Sequence, residues 1–281
     1  MRAAVPLLVP PALLALVVLG RLFLRQDSFV FRPSGRLDRT PADVGLNYEE
    51  VRLGGADGAR PRAWWLPAAG SEQAVVYFHG SDGNLSRELA VARFLAGLGV
   101  NALMVEYPGY GGDGRRPSER GCYRTGEAAW DFVRHRAEPD RVVLYGMSLG
   151  AAVATYLAAG RRCGGLVIHS GFTSVPDLAA RLYPYLPVRI FCRTRMDNLR
   201  RIADCTAPVL MIHSEDDEHI PVGDARRLYR RAPGPKRFVA IRGSHFAGSW
   251  RHQPAVLDAW RELLGRRTGS WTAAGTEDQG A

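Results

Sequence analysis

Apolar residues fall into eight short runs with two distinct rhythms. The first two, YEEVRL (48–53) and PRAWWLP (61–67), alternate polar and apolar positions and flank the turn-forming stretch GGADG, which predicts a hairpin. The next six are nearly continuous: AVVYFH (74–79), VNALMVEY (100–107), RVVLYG (141–146), GLVIHS (165–170), APVLMIHS (207–214) and KRFVAI (236–241). Continuous apolar runs of this length predict parallel strands buried on both faces. Segments of helical spacing separate them: 85–99, 118–137, 149–159, 222–232 and 253–265. A hairpin followed by repeated strand–helix units predicts an α/β fold with a mostly parallel central sheet and helices on both faces. No internal repeat interrupts the pattern.

The two ends break this rhythm. From Ala3 to Gly20 the chain carries no charge, which is near the shortest length that spans a bilayer. Residues 1–25 are expected to form a retained single-pass anchor, the alternative being a cleaved signal. The stretch VLGRLFLRQ offers no good small-x-small cleavage site. Five arginines follow the segment within residues 21–39, and positive-inside counting favours a domain on the cytoplasmic face. Residues 26–46 form a connector, 47–265 the domain, and 266–281 a Gly-, Thr- and Ser-rich tail expected to be disordered.

Composition adds mostly exclusions. The net charge of +9 comes from scattered arginines, with Lys236 the single lysine, and no aromatic-interleaved basic stripe marks a nucleic-acid partner. The four cysteines make no C-x-x-C pair, so neither zinc nor dithiol chemistry is expected. Free thiols are expected, although Cys192 and Cys205 could pair in an exported protein. No motif for a metal, nucleotide or hydride cofactor occurs. The glycines of GYGGDG lack the strand-to-helix context of a dinucleotide site.

Candidate chemistry centres on GMSLG, a G-x-S-x-G string between the 141–146 strand and the 149–159 helix. By composition the string arises by chance roughly 0.16 times in such a chain, so context must support it. Strand before and helix after make it a nucleophile elbow, with Ser148 projecting above the sheet and Gly146 and Gly150 allowing strand and helix to cross closely. A serine hydroxyl needs a base, and the base needs an acid, in the chain order Ser, acid, His. Glu215, Asp216, Asp217 and Glu218 follow the 207–214 strand, and His245 follows the last strand, with His219 and His252 as fallbacks. His79, His169 and His213 end strands and are expected to be buried and hydrogen bonded. Developing oxyanion charge needs backbone donors, here the N–H groups of Leu149 and of Ser81 in HGSDGNLS.

The chain resembles the α/β-hydrolases, and more narrowly the membrane-anchored ABHD-type protein depalmitoylases and their bacterial relatives. The resemblance rests on YFHGSDGNLS (77–86), VEYPGYGGDGRRPSERGCY (105–123), LYGMSLGAAVA (144–154), IHSEDDEHIP (212–221) and RGSHF (242–246), and covers about residues 48–265. In such relatives the acid stands four residues after a strand-end His and four before a Pro. That register selects Asp217, between His213 and Pro221, with Asp216 next. The chain departs from the family in having Ser214 where Gly is frequent and Ser81 where Asn is common. The resemblance implies a serine hydrolase that cleaves ester or thioester bonds through an acyl-enzyme. The apolar anchor adds the expectation of lipid- or protein-linked acyl chains. A small-molecule carboxylesterase and a non-catalytic scaffold are the alternatives.

A short lid is expected over residues 171–205. Tyr183, Tyr185, Leu186 and Phe191 are its candidates for an acyl pocket, with Ile190 beside them. Arg189, Arg193 and Arg195 either solvate the lid or meet anionic head groups.

Overall fold

All eight apolar runs become strands of one sheet. A computed structural model describes residues 20–21, 23–55, 60–245, 248–265 and 271. The strands are β1 (Glu49–Arg52), β2 (Arg62–Leu66), β3 (Ala74–Phe78), β4 (Asn101–Val105), β5 (Val142–Met147), β6 (Gly165–His169), β7 (Val209–Ser214) and β8 (Lys236–Ile241). Their spatial order is β8-β7-β6-β5-β3-β4-β2-β1. Pairing is parallel from β8 through β4 and antiparallel for β4–β2 and β2–β1.

Burial explains the two rhythms. Every residue of β3 and β7 is buried, because helices cover both faces. β1 lies at the sheet edge and is largely exposed. Successive side chains of the inner strands serve opposite layers. Val76, Leu144, Leu166 and Met211 join the core that includes α2 (Glu119–Val133) and α3 (Leu149–Gly160). Val75, Tyr77, Val143, Tyr145, Val167 and Leu210 join the core that includes α1 (Leu89–Gly97) and α6 (Pro254–Leu264). Each fully buried Leu or Val contributes roughly 1.5–3 kcal/mol. The sheet is thus a stiff platform, and β3 is its switch point. The chain runs from β3 to β4 on one side, then crosses to β5 on the other. In such sheets the crevice beyond the strand C-termini at that point is the usual ligand site.

Two segments carry more structure than their composition suggests. The 26–46 connector holds a short helix (Asp27–Val30), a two-residue strand (Arg32–Pro33) paired in parallel with Asp82–Gly83, and a 3-10 turn (Pro41–Val44). Phe31 is buried in the core. Ser86 Oγ receives the Asp38 and Arg39 amides and donates to Arg39 O. The connector is therefore a strap across the loop after β3. At the other end, Trp271 is buried and its Nε1 donates to Glu262 at 2.8 Å, so the segment expected to be a disordered tail meets α6 at that residue. The rest of that segment, and residues 1–19 of the expected anchor, lie outside the described residues. Among the described residues no helix is long and apolar enough to cross a membrane.

The lid region contains α4 (Val175–Leu182) and two single-turn helices, Val188–Phe191 and Asn198–Arg201. Asp224, on α5 (Val222–Arg231), fixes its base by accepting from Thr173 N and Oγ1 and from Arg181.

Candidate active site

Ser148 occupies the turn between β5 and α3 with φ 51° and ψ −113°, in the positive-φ half of backbone space that side chains avoid. Its amide donates to His169 O at 2.8 Å, which ties the turn to the end of β6. The flanking glycines are steric necessities. A Cβ at Gly146 would stand 2.2 Å from Gly150 O, and one at Gly150 would stand 1.9 Å from Phe78 O. Strand and helix therefore cross at backbone contact, and the intervening residue is forced into a strained conformation.

Asp217 and His245 meet at the C-terminal edge of the same sheet, after β7 and β8. His245 Nδ1 donates to Asp217 Oδ2 at 2.7 Å, with both side chains buried. Asp217 Oδ1 accepts the amides of His219 (2.9 Å) and Ile220 (2.8 Å). Burial alone would raise the Asp217 pKa, but the His245 hydrogen bond, the His245 charge and the two amides outweigh it and lower it to about 2. With Nδ1–H committed to Asp217, neutral His245 carries its basic lone pair on Nε2. Asp216 faces elsewhere, accepting from Gly243 N and Arg242. Glu218, which the sequence presents only as one more acid, accepts the His245 amide at 3.0 Å and fixes that backbone. His219 lies beside the His245 ring, with centroids 5.3 Å apart.

The strand-end histidines are buried, as their positions predict. His169 Nδ1 pairs with the Tyr145 hydroxyl, and burial drives its pKa down to about 3. His213 Nε2 donates to Ile220 O at 2.8 Å, while its Nδ1 has no partner among the described residues. Burial lowers its pKa too, so it is a neutral wall behind Asp217.

The loop after β3 runs alongside the elbow. A Cβ at Gly80 would lie 3.7 Å from Ser148 Cβ. Among the described residues neither the Ser81 nor the Leu149 amide donates to the protein. Tyr107 and Tyr110, from the YPGYGG stretch, are buried, and their hydroxyls donate to His79 O (3.0 Å) and Ser81 O (2.8 Å). Their role is to brace this loop, which no local sequence signal announces.

The lid candidates Tyr183, Tyr185, Leu186 and Phe191 stand at the surface in this conformation. They are exposed, Tyr185 at 96%, on a segment whose prolines 184 and 187 limit it to one helical turn with no buried residue. All four cysteines are free thiols, and Cys122, Cys163 and Cys205 are buried. The one close group of potential metal ligands among the described residues, Asp217, Glu218 and His219, contains the carboxylate already bound to His245 and two exposed side chains.

No family model matches the chain. It is 34% identical over 266 residues to the uncharacterized protein Rv2307c of Mycobacterium tuberculosis, covering 93% of this chain and 95% of that protein. It is 29% identical over 213 residues to the alpha/beta hydrolase domain-containing protein WAV2 of Arabidopsis thaliana, covering 69% of each. Among solved structures, the Pyrococcus furiosus esterase Pf2001 superposes with a TM-score of 0.66 at 20% identity, over 86% of this chain and 99% of that one. The sheet order, the strained serine turn and these likenesses agree: the chain belongs to the α/β-hydrolase superfamily.

Proposed function

We propose that this protein is a serine hydrolase of carboxylic esters or thioesters. The observation that carries the reading is the strained Ser148 turn on the same sheet edge as the buried Asp217–His245 pair. Ser148 Oγ attacks the acyl carbon while His245 Nε2 takes its proton, and Asp217 holds the tautomer and stabilises the imidazolium. The Ser81 and Leu149 amides receive the oxyanion. The tetrahedral intermediate collapses with His245 returning the proton to the leaving alcohol or thiol. Water, activated by His245, then attacks the acyl-enzyme and releases the acid.

Long acyl chains presented at a membrane are the proposed substrates. The uncharged stretch from Ala3 to Gly20 supports attachment, and the arginines after it support an anionic, cytoplasmic leaflet. The apolar side chains Leu182, Tyr185, Ile190 and Phe191 stand exposed on the lid, and Phe23, Leu24 and Phe29 on the segment leading from that stretch. The two patches are linked, since Arg193 N donates to Gln26 and Thr194 Oγ1 to Asp27.

A fluorophosphonate probe is expected to label the wild type and not Ser148→Ala. Equal labelling of both overturns the elbow assignment. Hydrolysis of p-nitrophenyl esters and acyl thioesters is expected to rise in kcat/KM with chain length, and a preference confined to acetate removes the long-chain proposal.

A further inference from the structure

Three consecutive carbonyls of the loop after β3 are clamped by three different side chains. His79 O receives the Tyr107 hydroxyl, Gly80 O faces His79 Nδ1 at 2.8 Å, and Ser81 O receives the Tyr110 hydroxyl. The middle contact matters most. Gly80 C=O and Ser81 N–H belong to one peptide unit, which is planar and, as throughout the described chain, trans. Fixing the carbonyl on one side fixes the direction of the N–H on the other. The Gly80 Cα side of this unit backs onto Ser148.

His79 is held in turn. Its Nε2 lies 2.8 Å from Glu106 Oε1, and both side chains are buried. Glu106 Oε2 accepts the Leu85 amide at 3.1 Å, and a Cβ on Gly111 would stand 2.8 Å from that same oxygen. Both His79 nitrogens thus face acceptors. An imidazole that donates from both nitrogens is the charged form, and the Glu106 carboxyl is the group placed to favour it. Burial opposes this charge, but the Glu106 charge and hydrogen bond outweigh burial and raise the His79 pKa. Charge-assisted bonds are roughly twice as strong as neutral ones, which suits a part that must not move.

Resting on the serine-hydrolase reading, we infer that His79 is a positioning residue: locked by Glu106, it holds Gly80 O so that the Ser81 amide aims at the oxyanion. The two His79 bonds can be separated. The His79→Asn amide would offer a donor where Nδ1 is, towards Gly80, and the His79→Gln amide one where Nε2 is, towards Glu106. With a p-nitrophenyl ester, His79→Ala is expected to lower kcat about 10- to 100-fold and leave KM within about threefold, since an oxyanion contact matters mainly in the transition state. His79→Asn is expected to recover most of kcat, and His79→Gln to stay near the Ala value. Gln recovering as well as or better than Asn, a change in KM alone, or an unaltered His79→Ala enzyme overturns the inference. Tyr110→Phe removes the hydroxyl bond to Ser81 O, leaves the Arg32 amide on that oxygen, and provides a milder probe if His79 variants do not fold. Its kcat is expected to fall about three- to tenfold at constant KM, and no fall counts against the clamp. Failure of the underlying reading is distinct: wild-type protein would then show no Ser148-dependent turnover at all.

Discussion

The carboxylate of Asp217 gains its low pKa from a cage of donors, and this makes it separable from its neighbour in sequence. Asp217→Asn should lower kcat by about 10³- to 10⁴-fold, because an amide no longer fixes the His245 tautomer. Asp216→Asn should change it less than about threefold, since that side chain holds Gly243 and Arg242. The same depression links to stability. A carboxyl with pKa 3.8 unfolded and about 2 folded stabilises the fold by about 2 kcal/mol above pH 4, and this is lost as pH falls from 4 towards 2. Thermal melts at pH 2–6 should show a flatter acid limb for Asp217→Asn than for the wild type. The placement of Ser148, Asp217 and His245 at strand ends was legible because the apolar runs and short spacings mark those ends. Glu106 was not. It follows the apolar run NALMV as an ordinary strand-end polar residue, and its partner His79 lies 27 positions away with no local signal. The lid side chains illustrate a related point: apolarity predicts contact, and whether the contact is a pocket or a surface depends on what lies behind the segment.

At the level of elements, the crossing of β5 and α3 sets the tolerance of the site. Gly150→Ala should unfold the elbow rather than merely slow it, because the added carbon meets the Phe78 carbonyl, a backbone group of the central strand that cannot step aside. A loss of about 3 kcal/mol or more is expected, read as a fall in melting temperature. Gly223→Ala is the control, since a Cβ in this helical position meets nothing within 4 Å, and it should be neutral or slightly stabilising. The strands themselves were legible because two-sided burial leaves a continuous apolar run. The 26–46 strap was not, because a two-residue strand and a single 3-10 turn have no period to detect, and their partners are loop atoms.

For the whole molecule, the strap joins what composition separates. It begins beside the lid at Gln26 and Asp27, buries Phe31, and pairs Arg32 N with Ser81 O at 2.9 Å, on the loop proposed to hold the oxyanion. The segment proposed to reach the bilayer is therefore only about a dozen residues from the proposed chemistry. Anyone trimming the chain to obtain a freely dissolving enzyme would be tempted to cut at residue 47, where the strand–helix alternation starts. The expected outcome is that a protein beginning at residue 26 binds anionic vesicles less than the full chain yet keeps its kcat, whereas one beginning at residue 47 loses about tenfold or more in kcat, measured on a soluble ester. The smallest active unit would then start some twenty residues before the first strand of the sheet, and the leash to the membrane would double as part of the enzyme.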